Sequence, residues 1–376
     1  MKNLNLLQLV PSLESGGVEQ GTIDLANFLA KKNIKSVIVS KGGKMIQNLD
    51  KKNVKHITMN VGSKNFFAMP FVAKKLKKII DENEINILHV RSRAPAWLLK
   101  FIKDKSFKTV STFHNVYGTE NVLKKHYNKA LANADHIVAI SSYVKSTITE
   151  IYGIKAKNIS VINRGINTDF FNSKITNKDL FVKFVSSYHI PENKKIILFP
   201  GRLTEWKGQI KFLQILESYK DKNVICYFIG DNKNKNYTSK LIKHINKKGL
   251  RNICKIMGNL PPNDLKMMYI CADVIVSAPL KPEGFGRIIS EALSMKKIIL
   301  SYDFGGAKDQ LSNLSPLFKI TPNDQEELKN RIDKVFNLSR SYIEKLGSIS
   351  RSHVIENFSD QQMFEKYLKL YQKILK

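Results

Sequence analysis

The sequence predicts an α/β protein of two domains, each a parallel sheet covered by helices, that face each other across a cleft. Its 376 residues exceed what one ordinary α/β core needs. Short β-rich apolar runs alternate with helical segments twice along the chain, and this alternation is typical of a parallel sheet with helices on both faces. A polar stretch with little periodicity separates the two series.

The first domain is predicted over residues 1–167, the linker over 168–195 and the second domain over 196–357. Strands of the first domain are expected at 4–10, 34–39, 54–58, 85–90, 108–113, 135–140 and 159–163. Strands of the second domain are expected at 196–199, 224–229, 253–256, 274–276 and 298–300.

The composition narrows the class of protein. A hydrophobic content of 43% is normal for a soluble globular chain, and no apolar run approaches the roughly 20 residues that span a bilayer. The three scattered cysteines fit neither a disulfide framework nor a zinc site, which favours a reducing, cytoplasmic compartment. The net charge of +30 favours polyanionic partners: nucleic acid, anionic lipid or phosphorylated substrates.

Two loops that follow predicted first strands carry candidate phosphate ligands. Gly16 and Gly17 open a helix, where backbone N–H groups suit a phosphate, although a turn without a ligand has the same pattern. In the second domain Arg202 and Lys207 bracket the equivalent turn. Ligands of such sheets bind at the carboxyl ends of strands, so these two cations are predicted to clamp a pyrophosphate.

A third loop runs from Glu283 through Gly284 and Gly286 to a helix that begins near Arg287. Eight helical residues at about 100° each would bring Glu291 back to the face of Glu283, about 12 Å along the axis. Two carboxylates at that spacing suit the hydroxyls at opposite ends of one elongated ligand, and are too far apart to act as a glycosidase acid/base pair. Two surface glutamates on an amphipathic helix are the alternative.

Together these motifs resemble family-4 retaining glycosyltransferases of the GT-B fold, which has two Rossmann-like domains. The matching segments are Gly-Gly-Val after strand one, Gly-Arg-Leu-x-x-x-Lys-Gly after the linker and Glu-Gly-Phe-Gly-x-x-x-x-Glu near the end of the second domain. They occur in order over nearly the whole chain. The resemblance is closest to bacterial enzymes that build lipopolysaccharide cores and other surface glycans, and it implies a hexosyltransferase-type activity.

The resemblance implies a role for each matching residue. Arg202 and Lys207 would hold the donor diphosphate, Glu283 the hydroxyls of the transferred sugar and Glu291 the ribose. The remaining contacts would come from the backbone at Gly286, Arg287 and Ile288, from Gly16 and Gly17, and from His114 beside the sugar and acceptor. Asp309 stands where the family's Gly-Gly-x-x-Glu motif has Glu. A last helix, about 358–376, would pack back on the first domain.

The resemblance also implies that no metal or other cofactor takes part, and no Asp-x-Asp triplet is present. The expected partners are a nucleotide-sugar donor and a glycan or lipid-linked acceptor, which Lys124, Lys125 and Lys129 would face if it is phosphorylated. Other GT-B enzymes, a sugar-nucleotide epimerase or a sugar-phosphate synthase, would share the donor site. A nucleic-acid-binding protein is a weaker alternative, because aromatic and basic residues do not interleave in any such motif.

One segment of the first domain has the composition of a membrane-docking helix. Phenylalanines precede a lysine cluster there, which suits attachment to the anionic inner face of the cytoplasmic membrane. A connecting helix with a buried apolar face and solvated lysines is the alternative. The residues concerned are Phe66, Phe67, Phe71, Lys74, Lys75, Lys77 and Lys78.

Overall fold

The computed structural model describes residues 4–63, 65–102, 106–118, 121–174 and 177–376. The chain divides into two compact units, of which unit 1 is Met1–Asn163 with Met363–Lys376 and unit 2 is Arg164–Gln362. Each unit is built on one parallel sheet with helices between its strands. The predicted fold class, two Rossmann-like α/β domains, is confirmed.

The sheet of unit 1 has seven parallel strands in the order β3-β2-β1-β4-β5-β6-β7. The strands are β1 Asn5–Leu9, β2 Lys35–Ser40, β3 Val54–Thr58, β4 Ile87–Val90, β5 Lys108–Phe113, β6 His136–Ala139 and β7 Ile159–Val161. The helices are α1 Gly17–Lys31, α2 Met69–Glu82, α3 Arg93–Ala96, α4 Val122–Asn128 and α5 Ser142–Tyr152. Short 3₁₀ turns occupy Lys44–Asn48, Trp97–Lys100, Lys129–Asn133 and Ala156–Asn158.

The sheet of unit 2 has six parallel strands in the order β10-β9-β8-β11-β12-β13. The strands are β8 Lys195–Pro200, β9 Val224–Ile229, β10 Cys254–Gly258, β11 Val274–Ser277, β12 Ile299–Tyr302 and β13 Lys319–Ile320. The helices are α6 Lys178–Ser187, α7 Gln209–Leu216, α8 Lys235–Lys247, α9 Pro262–Cys271, α10 Arg287–Ser294, α11 Ala307–Leu311, α12 Gln325–Phe336 and α13 Arg340–Phe358. A last helix, α14 Asp360–Leu375, begins in unit 2 and belongs to unit 1 from Met363 onward. Further 3₁₀ turns lie at Glu205–Lys207, Glu217–Tyr219 and Pro316–Phe318.

The segment predicted as a linker, 168–195, contains the ten-residue helix α6. The Asn177 side chain begins this helix by accepting a hydrogen bond from the Leu180 N–H at 3.0 Å. Among the residues of this helix only Phe184 is buried, whereas Leu180 and Val182 are 56% and 63% exposed. The apolar residues of the helix lie within only six positions, 180–185, of a segment that is otherwise mostly polar, so the helix was missed in the sequence.

Residues of α14 complete the core of unit 1. Phe364, Tyr367, Leu368 and Tyr371 pack with apolar residues of β1, β4, β5 and β6 in one buried cluster. Polar contacts reinforce this packing. The fully buried imidazole of His89 is hydrogen-bonded through Nδ1 to the Tyr371 hydroxyl and through Nε2 to Thr112 Oγ1, each at 2.7 Å.

Candidate active site

The strand order of unit 2 places the predicted donor loops side by side. The chain runs outward from β8 to β10 in one direction and from β11 to β13 in the other, so the order reverses between β8 and β11. Loops at such a reversal diverge beyond the carboxyl edge of the sheet, and ligands of doubly wound sheets bind there. Arg202 and Lys207 follow β8, and Glu283 follows β11.

Backbone contacts join the two loops. Gly208 has φ +85°, and a Cβ atom on it would lie 2.4 Å from the carbonyl oxygen of Ala278. The Leu280 N–H donates to the Trp206 carbonyl at 2.7 Å. Only glycine permits both this left-handed conformation and this close approach, so the Lys-Gly pair of the motif seats the loop after β8 against the loop after β11.

Lys207 and Glu283 form an ion pair that is largely withdrawn from water. Their side chains are 10% and 16% exposed, and Lys207 Nζ donates to Glu283 Oε1. The same Nζ atom lies 4.7 Å from the centre of the Trp206 ring. Neither group would be stable alone in such surroundings, since a buried charge requires a partner. The structure therefore brings together Lys207, predicted to bind the diphosphate, and Glu283, predicted to bind the sugar.

Arg202 lies on the same loop in different surroundings. Arg202 is exposed, and within the described parts of the chain no acidic side chain pairs with its guanidinium group. Its backbone carbonyl accepts a hydrogen bond from Gln209 Nε2 at 3.0 Å, which holds the loop while leaving the side chain in solvent. An exposed arginine of this kind is available to a phosphate group.

The Gly305-Gly306 pair packs against the backbone of the loop that carries Glu283. A Cβ on Gly305 would lie 2.6 Å from the Glu283 carbonyl oxygen, and one on Gly306 would lie 2.5 Å from that of Gly284. The Gly306 N–H also donates to the Glu283 carbonyl at 2.8 Å. The glycines of this motif thus permit backbone to pack on backbone. Asp309 is the third residue of α11, which begins at Ala307, directly after the two glycines.

The amino end of α10 lies next to Lys207. Gly286 precedes the helix in the left-handed conformation, with φ +83°, and a Cβ on it would meet Glu283 Oε2 at 3.2 Å. A Cβ on Gly201 would lie 3.5 Å from the Lys207 stem and 3.8 Å from Ile288 Cδ1. The first N–H groups of a helix lack intrahelical acceptors and attract anions. Helix terminus, lysine and carboxylate therefore adjoin one another.

Glu291 is buried and bonded to protein groups. Its Oε2 accepts from the Tyr269 hydroxyl at 3.1 Å, and its Oε1 lies 3.3 Å from Arg287 Nη2. Burial and the neighbouring Glu291 carboxylate raise the pKa of Tyr269 well above its ordinary value, so the hydroxyl remains a donor. The expected angular relation between Glu283 and Glu291 is wrong, because α10 begins only at Arg287 and Glu283 lies in the loop before it.

The remaining predicted residues belong to unit 1. Gly16 has φ +127° and precedes α1, which begins at Gly17, and a Cβ on Gly16 would lie 2.6 Å from Glu19 Oε2. The carboxylate of Glu19 thus lies against the helix terminus predicted to meet the diphosphate. His114 is half-buried directly after β5. Lys124, Lys125 and Lys129 are exposed at α4 and the turn that follows it. All these roles remain predictions.

Two buried polar residues near the strand ends were missed in the sequence. Gln310 on α11 bonds to the loop that carries Glu283. Arg91 follows β4 beside the order reversal of the unit 1 sheet, where its Nη1 donates to Gln8 Oε1 at 3.2 Å and its guanidinium group lies 5.6 Å from the Tyr367 ring centre. The position of Arg91 directly after a predicted strand could have marked it as a candidate site residue in the sequence. No sequence pattern marks Gln310, because its burial depends on packing between distant segments.

Within the described residues, no helix is long and apolar enough to cross a membrane. No group of three or more His, Cys, Asp or Glu side chains in the same parts of the chain has the arrangement of a metal site.

Two parallel sheets of Rossmann type, with a cation, a carboxylate and a helix terminus at the strand reversal of the second, are the arrangement expected of a GT-B transferase. Comparison with known families agrees: the model described as "Glycosyltransferase Family 4" matches residues 15–170, and "Glycosyl transferases group 1" matches 183–353. The chain therefore belongs to the family-4 glycosyltransferases, whose two domains these two models describe. The sequence resemblance and the expected transferase activity are confirmed.

One relative and two solved structures match all or nearly all of the chain. A glycosyltransferase from Rickettsia africae is 37% identical, with a TM-score of 0.89 and coverage of 100% of both chains. The capsular polysaccharide biosynthesis glycosyltransferase CapM of Staphylococcus aureus is 24% identical, over 100% of this chain and 99% of CapM. Anabaena HepE, solved in complex with UDP-glucose, is 19% identical with a TM-score of 0.81, over 98% of this chain and 100% of HepE.

Proposed function

We propose that this chain is a retaining glycosyltransferase that transfers a sugar from a nucleotide-sugar donor, with UDP as the nucleotide, to a glycan or lipid-linked acceptor. The direct contact between Lys207 Nζ and Glu283 Oε1 carries the proposal. In a nucleotide sugar the transferred sugar is bonded to the diphosphate, so hydroxyls and phosphates of one donor lie side by side. An adjoining carboxylate and ammonium group match that arrangement. The UDP-glucose bound by HepE supports the choice of nucleotide.

The chemical role of the site is to neutralise the charge that develops on the leaving diphosphate. Lys207 and the N–H groups at the amino end of α10 supply positive charge at one place, and the exposed Arg202 lies on the same loop as Lys207. Preorganised charges of this kind stabilise a transition state without a metal. Glu283 is already held by Lys207, so we assign no covalent nucleophile, and retention would follow from attack of the acceptor on the face that the diphosphate leaves.

The capsular role of CapM favours a surface polysaccharide or lipopolysaccharide as the product. The two GT-B alternatives, an epimerase and a sugar-phosphate synthase, would use the same donor contacts and differ only in what they release. Product analysis by chromatography and mass spectrometry distinguishes them, and the chromatography is needed because epimers have equal masses. A lengthened glycan supports transfer to a glycan, while a free epimeric sugar nucleotide or a sugar phosphate contradicts it.

A panel of nucleotide sugars and free nucleotides, scored by thermal shift, tests the donor. A ligand at 100 times its Kd adds about 2.7 kcal/mol to the free energy of unfolding, which raises the Tm of a domain this size by several degrees. We expect UDP-sugars to raise the Tm and an Arg202→Ala variant to lose most of that shift. A panel in which no nucleotide shifts the Tm would contradict the proposal.

We also propose that α2 and the residues before it dock on an anionic membrane. The helix buries Met69, Ala73, Leu76 and Ile80, so its apolar stripe belongs to the core. Phe67 and Phe71 lie outside that stripe, 90% and 73% exposed. Two exposed phenylalanines beside lysines favour an interfacial role over a connecting helix.

The lysines of this surface are not equivalent. Lys77 pairs with Asp81 at 2.6 Å and Lys78 with Glu82 at 3.7 Å, whereas Lys74 and Lys75 have no acidic partner in the described chain. Phe66 is half-exposed, and its ring lies 4.9 Å from that of Trp97. We therefore expect Lys74, Lys75, Phe67 and Phe71 to contribute most of the binding.

Sedimentation with vesicles tests the docking. Changing Lys74, Lys75, Lys77 and Lys78 to Gln should release the protein from anionic vesicles, since each lysine near such a surface contributes about 1 kcal/mol. The control changes four exposed lysines of α8, Lys235, Lys240, Lys243 and Lys247, and so removes the same charge elsewhere. Equal binding by the two quadruple variants would contradict docking through α2. Binding to nucleic acid instead would favour the nucleic-acid alternative.

A further inference from the structure

Gln310 lies on α11 with its side chain fully buried, and it bonds to three separate pieces of the donor loop region. Its Nε2 donates to the carbonyl of Phe285 and lies 3.3 Å from the carbonyls of Gly286 and Gly306. Its Oε1 accepts from the N–H of Ser290 at 3.0 Å and from the Ser290 hydroxyl at 2.6 Å. One amide thus joins the Glu283 loop, the Gly305-Gly306 turn and α10.

These bonds involve the groups that determine how α10 begins. The Gly286 carbonyl, four residues before Ser290, is the ordinary helical acceptor for the Ser290 N–H, but here it accepts from the Ile289 N–H at 3.0 Å. Gln310 binds this N–H and leaves those of Arg287 and Ile288 outside its own hydrogen bonds. The Phe285 and Gly286 carbonyls are held by the same side chain, so the peptide groups before the helix cannot rotate independently of α11.

The held backbone also sets the position of Glu283. Gly286 has the left-handed conformation and lies close to the Glu283 carboxylate, since a Cβ on it would be 3.2 Å from Glu283 Oε2. On the other side the Gly306 N–H binds the Glu283 carbonyl at 2.8 Å. A change in the Phe285–Gly286 peptide would therefore move the carboxylate, and with it the Lys207 ammonium group that it binds.

We propose that Gln310 is a positioning residue for donor binding and transfer: its amide fixes the amino end of α10 and the Glu283 carboxylate in the geometry that receives the sugar diphosphate. The inference rests on the proposed function. It assigns to Gln310 a role that requires both ends of an amide, a donor toward the carbonyls of Phe285, Gly286 and Gly306 and an acceptor toward Ser290. Neither an apolar side chain nor a carboxylate supplies both.

The test compares three proteins by UDP calorimetry and by donor kinetics. Gln310→Met keeps the side chain's length and loses every hydrogen bond, and we expect kcat/KM for the donor to fall on the order of 100-fold, the scale of a misplacement of about 1 Å. Tyr219→Phe is the control, because it removes another buried hydrogen bond of unit 2, to Asp333 at 2.8 Å, away from these loops. It should lower the Tm and leave donor kinetics unchanged.

Gln310→Glu gives a second readout within one protein. A protonated carboxyl can still donate to a carbonyl and accept from Ser290, whereas the ionised form cannot donate. We expect its donor kcat/KM, divided by that of the parent at the same pH, to rise as the pH falls from 8 to 6. If Gln310→Met does not fold, the pH dependence of Gln310→Glu still tests the role of Gln310.

The outcomes separate the two proposals. A parent that binds no UDP and transfers no sugar contradicts the proposed function. A parent that does both, with Gln310→Met giving the same donor kcat/KM at a temperature well below its Tm, contradicts the role of Gln310 alone. A pH-independent ratio for Gln310→Glu also contradicts it.

Discussion

Lys207 and Arg202 share a loop and a predicted role, but they differ in burial, and this difference separates their effects on stability. Replacing either with Ala is expected to lower turnover on the order of 100-fold, as for the loss of one preorganised charge. Lys207→Ala should also destabilise the protein, because breaking a buried ion pair costs about 3–5 kcal/mol. Arg202 is exposed, so its removal should change stability by about 0.5 kcal/mol or less.

Urea unfolding and steady-state kinetics measure the two effects. The double variant Lys207→Met with Glu283→Gln replaces both charges, and should recover stability relative to Lys207→Ala without recovering turnover. Near-parental transfer by the single variants would remove both cations from the mechanism. Equal stability losses for Arg202→Ala and Lys207→Ala would show that the ion pair contributes little.

His89 gives the stability of the protein a pH dependence. Burial, with a smaller contribution from the charge of Arg91, holds the pKa of this imidazole well below its ordinary 6.5. Below pH 6.5 the unfolded chain therefore binds a proton that the folded protein does not. The contribution of His89 is constant above pH 6.5 and falls below it, by at most about 1.4 kcal/mol per pH unit.

Urea unfolding at pH 7.5 and 5.5 tests this, with His89→Gln as the comparison. The variant should be less stable at pH 7.5 and lose less stability on acidification than the parent. Burial also lowers the pKa of His56 and of His136, so some dependence should remain in the variant. Identical losses on acidification in the two proteins would contradict a role for His89.

At the scale of elements, Gly208 is where the loops after β8 and β11 meet, and an alanine there should separate them. Left-handed backbone costs a non-glycine residue about 1–2 kcal/mol, and the new Cβ would lie 2.4 Å from the Ala278 carbonyl. Gly153→Ala is the matched control, because Gly153 has φ +64° and a Cβ there meets nothing within 4 Å. We expect both variants to lose stability but only Gly208→Ala to lose affinity for UDP, measured by calorimetry. Unchanged UDP affinity in Gly208→Ala would contradict the seating of the loop.

Most strands and helices could be predicted from the sequence alone, and two elements could not. The long apolar runs became strands close to the predicted positions, because a parallel sheet buries both faces of each strand. The two-residue strand β13 and the helix α6 were missed, since the first is too short to leave a period and the apolar residues of the second lie within only six positions of a mostly polar segment. The glycine motifs located the loops. The Lys207–Glu283 contact and the burial of Gln310 depend on strand order and on packing between α11 and α10, which no local pattern encodes.

At the scale of the whole molecule, the excess of cations is relevant to the expected independence from metal ions. The chain carries 62 basic against 32 acidic residues. At the predicted donor loops of unit 2 Lys207 adjoins the amino end of α10, and Arg202 lies on the same loop as Lys207. We expect transfer to continue at its full rate in metal-free buffer with excess chelator. Loss of activity that magnesium or manganese restores would contradict this. Arg202→Ala offers a control, since added divalent cation should not restore its activity.

Helix α14 makes the folding of unit 1 depend on the order in which a ribosome delivers the chain. The core of this unit includes Leu6 and Ile87 from one stretch of sequence and Tyr367 and Tyr371 from another. About 200 residues separate the two stretches, which corresponds to roughly 10–40 s of synthesis at about 5–20 residues per second. During that interval the nascent sheet lacks its cover, and the surface that α14 later occupies is open to chaperones and to other nascent chains. Unit 2 is contiguous in sequence and has no such delay, so the half of the protein that is begun first is completed last.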